Sequence, residues 1–247
     1  MERFNREVIL PNPLHRAVVA FEQQASNLPG GTVARALLRL SEEPHAQGTL
    51  QRLASATASA EAKSAARAML ALRSHPERAV QRLVNPGFEP GAEKVSAAAP
   101  KQAAPPGWGV WFRPGTPGQG EAAAEATRSG RCGFVLRGAE ASCVLQSVPV
   151  HPGEKYLAAV YLRGKLSRQA ESKLVVQWKD AAGQWLSTAA QRTDRLPAGR
   201  TPDWTRLCVL VEVPAKAAQL VFCVSAYNQG PADVLQADDA SLQCIPQ

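Results

Sequence analysis

Two periodicities divide the chain. Over its first eighty residues apolar side chains recur at three- and four-residue intervals, the repeat of a single helix face. Asn12-Pro13 supplies a cap and a first-turn proline ahead of "LHRAVVAFEQQASNL", whose Leu14, Val18, Phe21 and Leu28 keep near that spacing. "TVARALLRLSEE" sets Val33, Leu37 and Leu40 on one stripe, with Thr32 as the expected cap and Pro44 as the stop. "GTLQRLASATASAEAKSAARAMLALRS" and "PERAVQRL" are rich in Ala, Leu and Arg, residues of high helix propensity. Three or four short helices are predicted.

From Leu83 onward the pattern changes to short apolar runs separated by turn residues, as in an antiparallel β-sandwich. The predicted strands are "GWGVWF", "RCGFVLRG", "SCVLQSVPV", "KYLAAVYLRG", "SKLVVQWKD", "QWLSTAAQ", "DWTRLCVLVEVP", "AQLVFCVSAY" and "VLQADDASLQC". "HPGE", "DAAGQ", "PAGRTP" and "NQGPAD" between them carry Gly or Pro where the backbone must reverse. Residues 91–107, too rich in Ala and Pro for a strand, read as a long surface loop. The expected fold is α+β in two domains: a short helical bundle over 1–80, then an antiparallel β-sandwich over 82–247.

Composition adjusts this picture only slightly. The 28 Lys+Arg exceed the 21 Asp+Glu, and the excess is split almost evenly between the two parts. No basic block with interleaved aromatics stands out, so nucleic acid is not an expected partner. No apolar run approaches the roughly 20 residues that span a bilayer, so no membrane partner is expected. The N-terminal stretch "MERFNREVILPNPLH" lacks the features of a signal peptide. The chain reads as soluble and unexported; Met1 could equally open a fragment of a longer, extracytoplasmic protein. The five cysteines, Cys132, Cys143, Cys208, Cys223 and Cys244, cannot all pair within one chain, and their strand-like neighbours favour buried small hydrophobes over a disulfide framework.

The order of "LVNPGFEPG", "PPGWGVWF", "CVLQSVPVHPGEKYLAAVYLRG", "PDWTRLCVLVEVP" and "ADVLQADDASL" resembles the carbohydrate-binding modules of the galactose-binding-like, jelly-roll type. The resemblance covers about residues 82–246. It implies that a Glu of the first strand and an Asp of the last, here Glu89 with Asp238 or Asp239, hold a structural calcium ion together with backbone carbonyls. Hard oxygens suit that ion. The alternative for these residues is a solvated loop carboxylate and a strand cap. Asn85, Pro86 and Gly87 would shape the turn and Phe88 would enter the core. The helical part is similar, by composition only, to the C-terminal region of large bacterial polysaccharide-degradation proteins. This implies a catalytic domain absent from the chain.

A sugar site needs flat aromatic faces and a few hydrogen-bonding side chains. The candidate ligand-binding residues are Trp111, Tyr161, Arg163, Trp178, Trp185 and Tyr227. Trp108 and Trp204 fall where the resembling family packs its core. In "KYLAAVYLRG" strand alternation places Tyr156, Ala158, Val160 and Leu162 on one face and Leu157, Ala159, Tyr161 and Arg163 on the other. Tyr161 and Arg163 would reach a ligand if theirs is the concave face; otherwise they are an ordinary solvent-facing pair. Trp178 shares its side with Val176 and Leu174, which favours the core. Tyr227 and Asn228 sit in a loop that can line a rim.

No HExxH, paired-Cys spacing, GxSxG elbow or phosphate loop occurs. The expected function is a non-catalytic module for a polysaccharide or oligosaccharide. Its rival is a structural or protein-interaction sandwich.

Overall fold

The protein is described here from a computed structural model that covers residues 30–42, 46–56, 60–90 and 104–246. The chain forms two compact units, one of Met1–Pro76 with Pro246–Gln247 and the other of Glu77–Ile245.

The first unit contains α1 (Gly30–Glu42), α2 (Ala46–Ala56) and α3 (Ala60–Ser74). Leu37, Leu38 and Leu40 of α1, Leu50 and Leu53 of α2, and Ala62, Ala65, Ala66 and Met69 of α3 are buried. The alanines leave room for helices to approach closely. Two arginines of α3 satisfy carbonyls that helix ends leave free: Arg73 donates to the Ser41 carbonyl and Arg67 Nε to that of Ala54 at 3.3 Å. Thr32 is not the cap, because α1 already starts at Gly30. "PERAVQRL" forms only a 3₁₀ turn at Pro76–Arg78. Its Val80 is 54% exposed, so no buried stripe offsets the cost of nucleating a helix there. The helix expected around Leu14–Leu28, the stop at Pro44 and most of the loop expected over 91–107 lie outside the described residues.

The second unit is a sandwich of two five-stranded antiparallel sheets. The strands are β1 (Gly109–Phe112), β2 (Gln119–Ala123), β3 (Gly133–Arg137), β4 (Ala141–Pro149), β5 (Lys155–Lys165), β6 (Glu171–Lys179), β7 (Arg192–Leu196), β8 (Arg200–Glu212), β9 (Gln219–Tyr227) and β10 (Val234–Cys244). Sheet I runs β1-β4-β9-β6-β7 and sheet II β2-β3-β10-β5-β8. Strands β3 to β10 follow the double Greek-key order of a jelly roll.

Inward-facing residues of both sheets form one core, including Phe134, Tyr156, Val160, Leu174, Val176, Phe222, Leu235 and Leu242. Phe88 and Trp108 close one part of it, with ring centroids 4.5 Å apart; Phe134 stands 6.0 Å from Phe88 and Phe222 5.9 Å from Trp108.

Eight of the nine predicted strands form. The exception is "QWLSTAAQ", which makes a single bridge from Trp185 to Lys179 and then a 3₁₀ turn at Thr188–Ala190. Ser187 caps that turn, its hydroxyl accepting the Ala189 N–H. Serine and threonine in succession favour such local bonds over a ladder. Strands β2 and β7 are unanticipated. Both are sheet edges built of "QGEAA" and "RTDRL", sequences with little apolar alternation to announce them.

Candidate functional site

Three places bear on function: the turn at Asn85–Glu89, the outer face of sheet I and the outer face of sheet II. The turn comes first because it organises one end of the sandwich. Asn85 Oδ1 accepts the Glu89 N–H at 2.9 Å, and its Nδ2 donates to the carbonyls of Glu89 and Pro106. Trp108 Nε1 donates to the Asn85 carbonyl at 2.8 Å. Asn85 and Phe88 both take left-handed backbone angles, φ 50° and 53°. For Phe that is a strained conformation, held here because its ring is fully buried. The turn drives Phe88 inward and sends Glu89 toward the segment 127–132.

That segment wraps two carboxylates. Asp238, fully buried, accepts the Arg128 and Ser129 N–H groups at 2.6 and 3.0 Å on Oδ2 and the Asp239 N–H on Oδ1. Burial still pushes its carboxyl up from the ordinary range. Glu89 Oε1 accepts the Arg131 N–H at 2.7 Å, while its Oε2 is buried without a hydrogen-bond partner. A β-carbon placed on Gly87 would lie 3.9 Å from Asp238 Oδ1 and 4.0 Å from Glu89 Oε1, so the two carboxylates border the same small space. Asp239 turns elsewhere. The register of β10 on β5 shifts between Asp238 and Ser241, and Asp239 (φ 48°) is the extra residue. Its carboxylate is taken by Arg128 Nη1 and Ser129 Oγ, each at 2.5 Å. The bulge lets Asp238 point outward while Ala240 and Leu242 return to the core.

On sheet I the register fixes which side chains share the outer face. Trp111, Cys143, Ser225, Lys173 and Arg195 form one row across all five strands. Leu145, Cys223, Val175 and Thr193 form the next, and Val221 with Gln177 the one after. Tyr227 stands one row before Trp111, and Lys179, bridged to Trp185, two rows beyond the second. The middle of this face, Val175, Val221, Cys223 and Ser225, is buried. Its ends are open, with Trp111 45% and Trp185 56% exposed.

A strand spacing of about 4.8 Å and a rise of about 3.4 Å per residue put these two indoles on the order of 25 Å apart. Lys173 Nζ lies 4.6 Å from the Tyr227 ring centre and Lys179 Nζ 4.5 Å from that of Trp185. Glu171 pairs with Lys173 at 3.2 Å and Arg195 at 2.6 Å. The Lys173 hydrogen bond foremost holds the Glu171 carboxyl below its ordinary range.

Beside Trp185 lies a cavity of about 190 Å³, lined by Gln177, Trp178, Trp185, Leu186, Ser187, Thr188 and Gln191. Gln177 Nε2 donates to Gln191 Oε1 at 3.2 Å, which orients both amides. Among the described residues no carboxylate, histidine or cysteine lines it. Its lining offers an indole face for stacking and amide and hydroxyl groups for hydrogen bonding. Ser187, Thr188 and Gln191 escaped the sequence reading because their segment was read as a strand. The Ser-Thr pair straight after Trp185 was the available signal.

Two expectations need correcting. Trp178 is not a stacking platform: its indole sits in the core at 2% exposure, with Nε1 donating to the Ala190 carbonyl at 3.0 Å. Trp204, expected in the core, is half-buried on the outer face of sheet II, where Arg163 lies 4.5 Å over its ring. Tyr161 and Arg163 face outward as alternation predicts, but from sheet II, and do not join Trp111, Trp185 and Tyr227. Arg128 covers the Tyr161 ring at 3.5 Å and Arg206 approaches it at 5.4 Å. That ring is not open to a ligand. All five cysteines are free thiols.

No protein-family model and no curated protein matches the chain. Among solved structures it is similar to the enzymatically active domain of bacteriophage CBA120 tailspike protein 4, at 12% identity and a TM-score of 0.48 over 67% of this chain and 22% of that one. It is also similar to a family 16 carbohydrate-binding module, at 23% identity and a TM-score of 0.41 over 52% and 86% of the two chains. A third is the carbohydrate-binding module TmCBM61, solved in complex with beta-1,4-galactotriose, at 17% identity and a TM-score of 0.43 over 66% and 97%. The chain thus spans about a fifth of the tailspike's length and most of each module's.

Proposed function

We propose that the sandwich is a non-catalytic binding module for a polysaccharide or oligosaccharide, with sheet I as its ligand face. The observation that carries this reading is the cavity beside Trp185. There an exposed indole stands next to two amides and two hydroxyls, the donor and acceptor set that a sugar ring's hydroxyls and C–H face require. A space of about 190 Å³ suits a single ring better than a chain. Trp111, open at the far end of the same face, is the second stacking surface for a longer ligand, and Tyr227 borders the row that leads to it. The helical unit acts as a spacer within a larger carbohydrate-active protein, in keeping with its compositional resemblance.

The test is a screen of the intact chain against polysaccharides and a glycan array, beside a variant carrying Trp111→Ala, Trp185→Ala and Tyr227→Ala. Binding by the parent that disappears in the folded variant supports the reading. Failure of the parent to bind any glycan overturns it in favour of a structural or protein-interaction sandwich.

We also propose that Glu89 and Asp238 hold a structural calcium ion, without Asp239. The residues fit. Their donors are hard oxygens, Glu89 Oε2 is a buried atom that accepts no hydrogen bond and has only the Arg131 guanidinium at 3.6 Å, and a half-buried carboxylate beside the fully buried Asp238 favours a cation. The ion would tie the Asn85–Glu89 turn to β10. Calcium should raise the melting temperature of the parent and leave that of Glu89→Gln unmoved; equal response or no response by both removes the ion from the account.

A further inference from the structure

We propose that the outer face of sheet II carries a separate oxyanion-binding pocket, formed by Arg163, Lys165 and Thr201, that accepts a carboxylate or sulfate group. A cavity of about 280 Å³ is lined by Arg163, Gly164, Lys165, Thr201, Pro202, Val234 and Gln236. Arg163 and Lys165 are two residues apart on β5, so both point outward from the same face, about 7 Å apart along the strand. Leu162 and Leu166 on the alternate positions are in the core, which confirms the direction.

The Arg163 guanidinium is fixed before any ligand arrives. Its Nε donates to Gln236 Oε1 at 2.6 Å, its Nη2 donates to the Glu125 carbonyl at 2.9 Å, and its Cζ lies 4.5 Å from the Trp204 ring centre. Those partners are neutral. Among the described residues no carboxylate pairs with Arg163 or Lys165: the Glu125 side chain is taken by Arg137. Asp233, the carboxylate that feels Lys165, is buried and accepts the Ser167 N–H and O–H and the Gly230 N–H. The rigidly oriented Arg163, which has no carboxylate partner, and Lys165, whose neighbouring carboxylate Asp233 is engaged elsewhere, therefore face a recess that Thr201 borders. A planar guanidinium that is already positioned and lacks an anion is the group that charge-assisted hydrogen bonding to an oxyanion uses best. Gly164 also lines the recess, and no larger residue fits there, because a β-carbon would meet the Val234 carbonyl at 2.5 Å. The volume admits one acidic sugar ring or a comparably small anion.

The experiment is calorimetric titration of the intact chain with sodium sulfate, D-galacturonate and D-galactose at constant ionic strength, repeated on Lys165→Gln, Arg163→Gln and Trp185→Ala. Sulfate or galacturonate should bind one per chain, with affinity reduced about tenfold or more in Lys165→Gln and unchanged in Trp185→Ala. Sulfate alone would assign the pocket to tetrahedral oxyanions; galacturonate alone would assign it to carboxylates. The proposal is overturned if neither anion binds the folded parent, if Lys165→Gln binds as the parent does, or if Trp185→Ala loses the anion. It is equally overturned if galactose binds with the same dependence on Lys165. Lys165→Gln removes a solvent-exposed charge and preserves the fold should Arg163→Gln, which also loses the Trp204 stack, fail to do so.

Discussion

The two outer faces of the sandwich use aromatic side chains in opposite ways. On sheet II, Tyr161 and Trp204 lie under arginines, the Arg128 and Arg163 Cζ atoms standing 3.5 and 4.5 Å from their ring centres, and Arg128 is itself anchored to Asp239. On sheet I the cations over Tyr227 and Trp185 are lysines, and Trp185 remains more than half exposed. Arginine stacks flat and can be pinned by several hydrogen bonds, whereas lysine is a point charge on a flexible stem that moves aside at little cost. An aromatic beneath a pinned arginine is part of the fold; one beneath a lysine is still available. The choice of cation, more than the count of aromatics, separates the stabilising face from the proposed ligand face.

The largest effect that can break this comparison lies within sheet I itself. Trp178→Ala should lower unfolding free energy by roughly 3–5 kcal/mol in urea denaturation, as for a large core aromatic. Trp185→Ala, seven residues on, should stay within about 0.5 kcal/mol of the parent. Similar losses would mean that Trp185 is structural.

Next come two glycines in the loops of the two sheets. Gly130 (φ 71°) would set a β-carbon 2.1 Å from Glu89 Oε1, whereas Gly183 (φ 78°), in the turn after β6, has nothing within 4 Å. Both Ala variants bear left-handed strain, but Gly130→Ala must also displace Glu89. It should lower the unfolding free energy more, by a further ~1–3 kcal/mol on the scale of strained sites, as urea denaturation would read.

Removing the cations sharpens the contrast further. Arg128→Ala gives up a hydrogen-bonded ion pair and the Tyr161 stack, so about 1–2 kcal/mol of stability should go. Lys179→Ala should change stability by no more than about 0.5 kcal/mol in the same denaturant series.

The smallest effect is titration of Glu171. Its folded carboxyl lies below its ordinary range, so its contribution is complete above about pH 4.3. It is lost as pH falls through the folded value, where the unfolded chain binds more protons. Glu171→Gln should therefore flatten the stability curve slightly below about pH 4.3, and an unchanged curve would mean that the pairing of Glu171 with Lys173 and Arg195 does not persist in solution.

Strands with strong alternation were readable without a structure. β5 shows why: its core residues Tyr156, Ala158, Val160 and Leu162 alternate strictly with outward ones. β2 and β7 were not, because an edge strand buries little and is held by backbone pairing to β3 and β6 that leaves no trace in residue type. The proposed site was readable in part. Trp111, Trp185 and Tyr227 were singled out and share a face, but Ser187, Thr188 and Gln191 were hidden in a segment that reads equally as strand or turn.

Local physics decided the rest in the sequence: which residues turn the chain, which face of each strand is apolar, and that Phe88 follows an Asn-Pro-Gly turn. These depend on neighbours a few residues apart, whose spacing the sequence displays directly. Which sheet each strand joins depends on partners as distant as β3 and β10, through backbone hydrogen bonds that every residue type makes alike. That pairing put Tyr161 and Arg163 on one side of the molecule and Trp111 and Trp185 on the other. It also placed Arg128 over Tyr161 and left Glu89 and Asp238, 149 positions apart in the chain, bordering one small space beside Gly87. Tertiary structure alone decided these contacts, because long-range side-chain encounters follow the strand order and have no periodic signature along the chain.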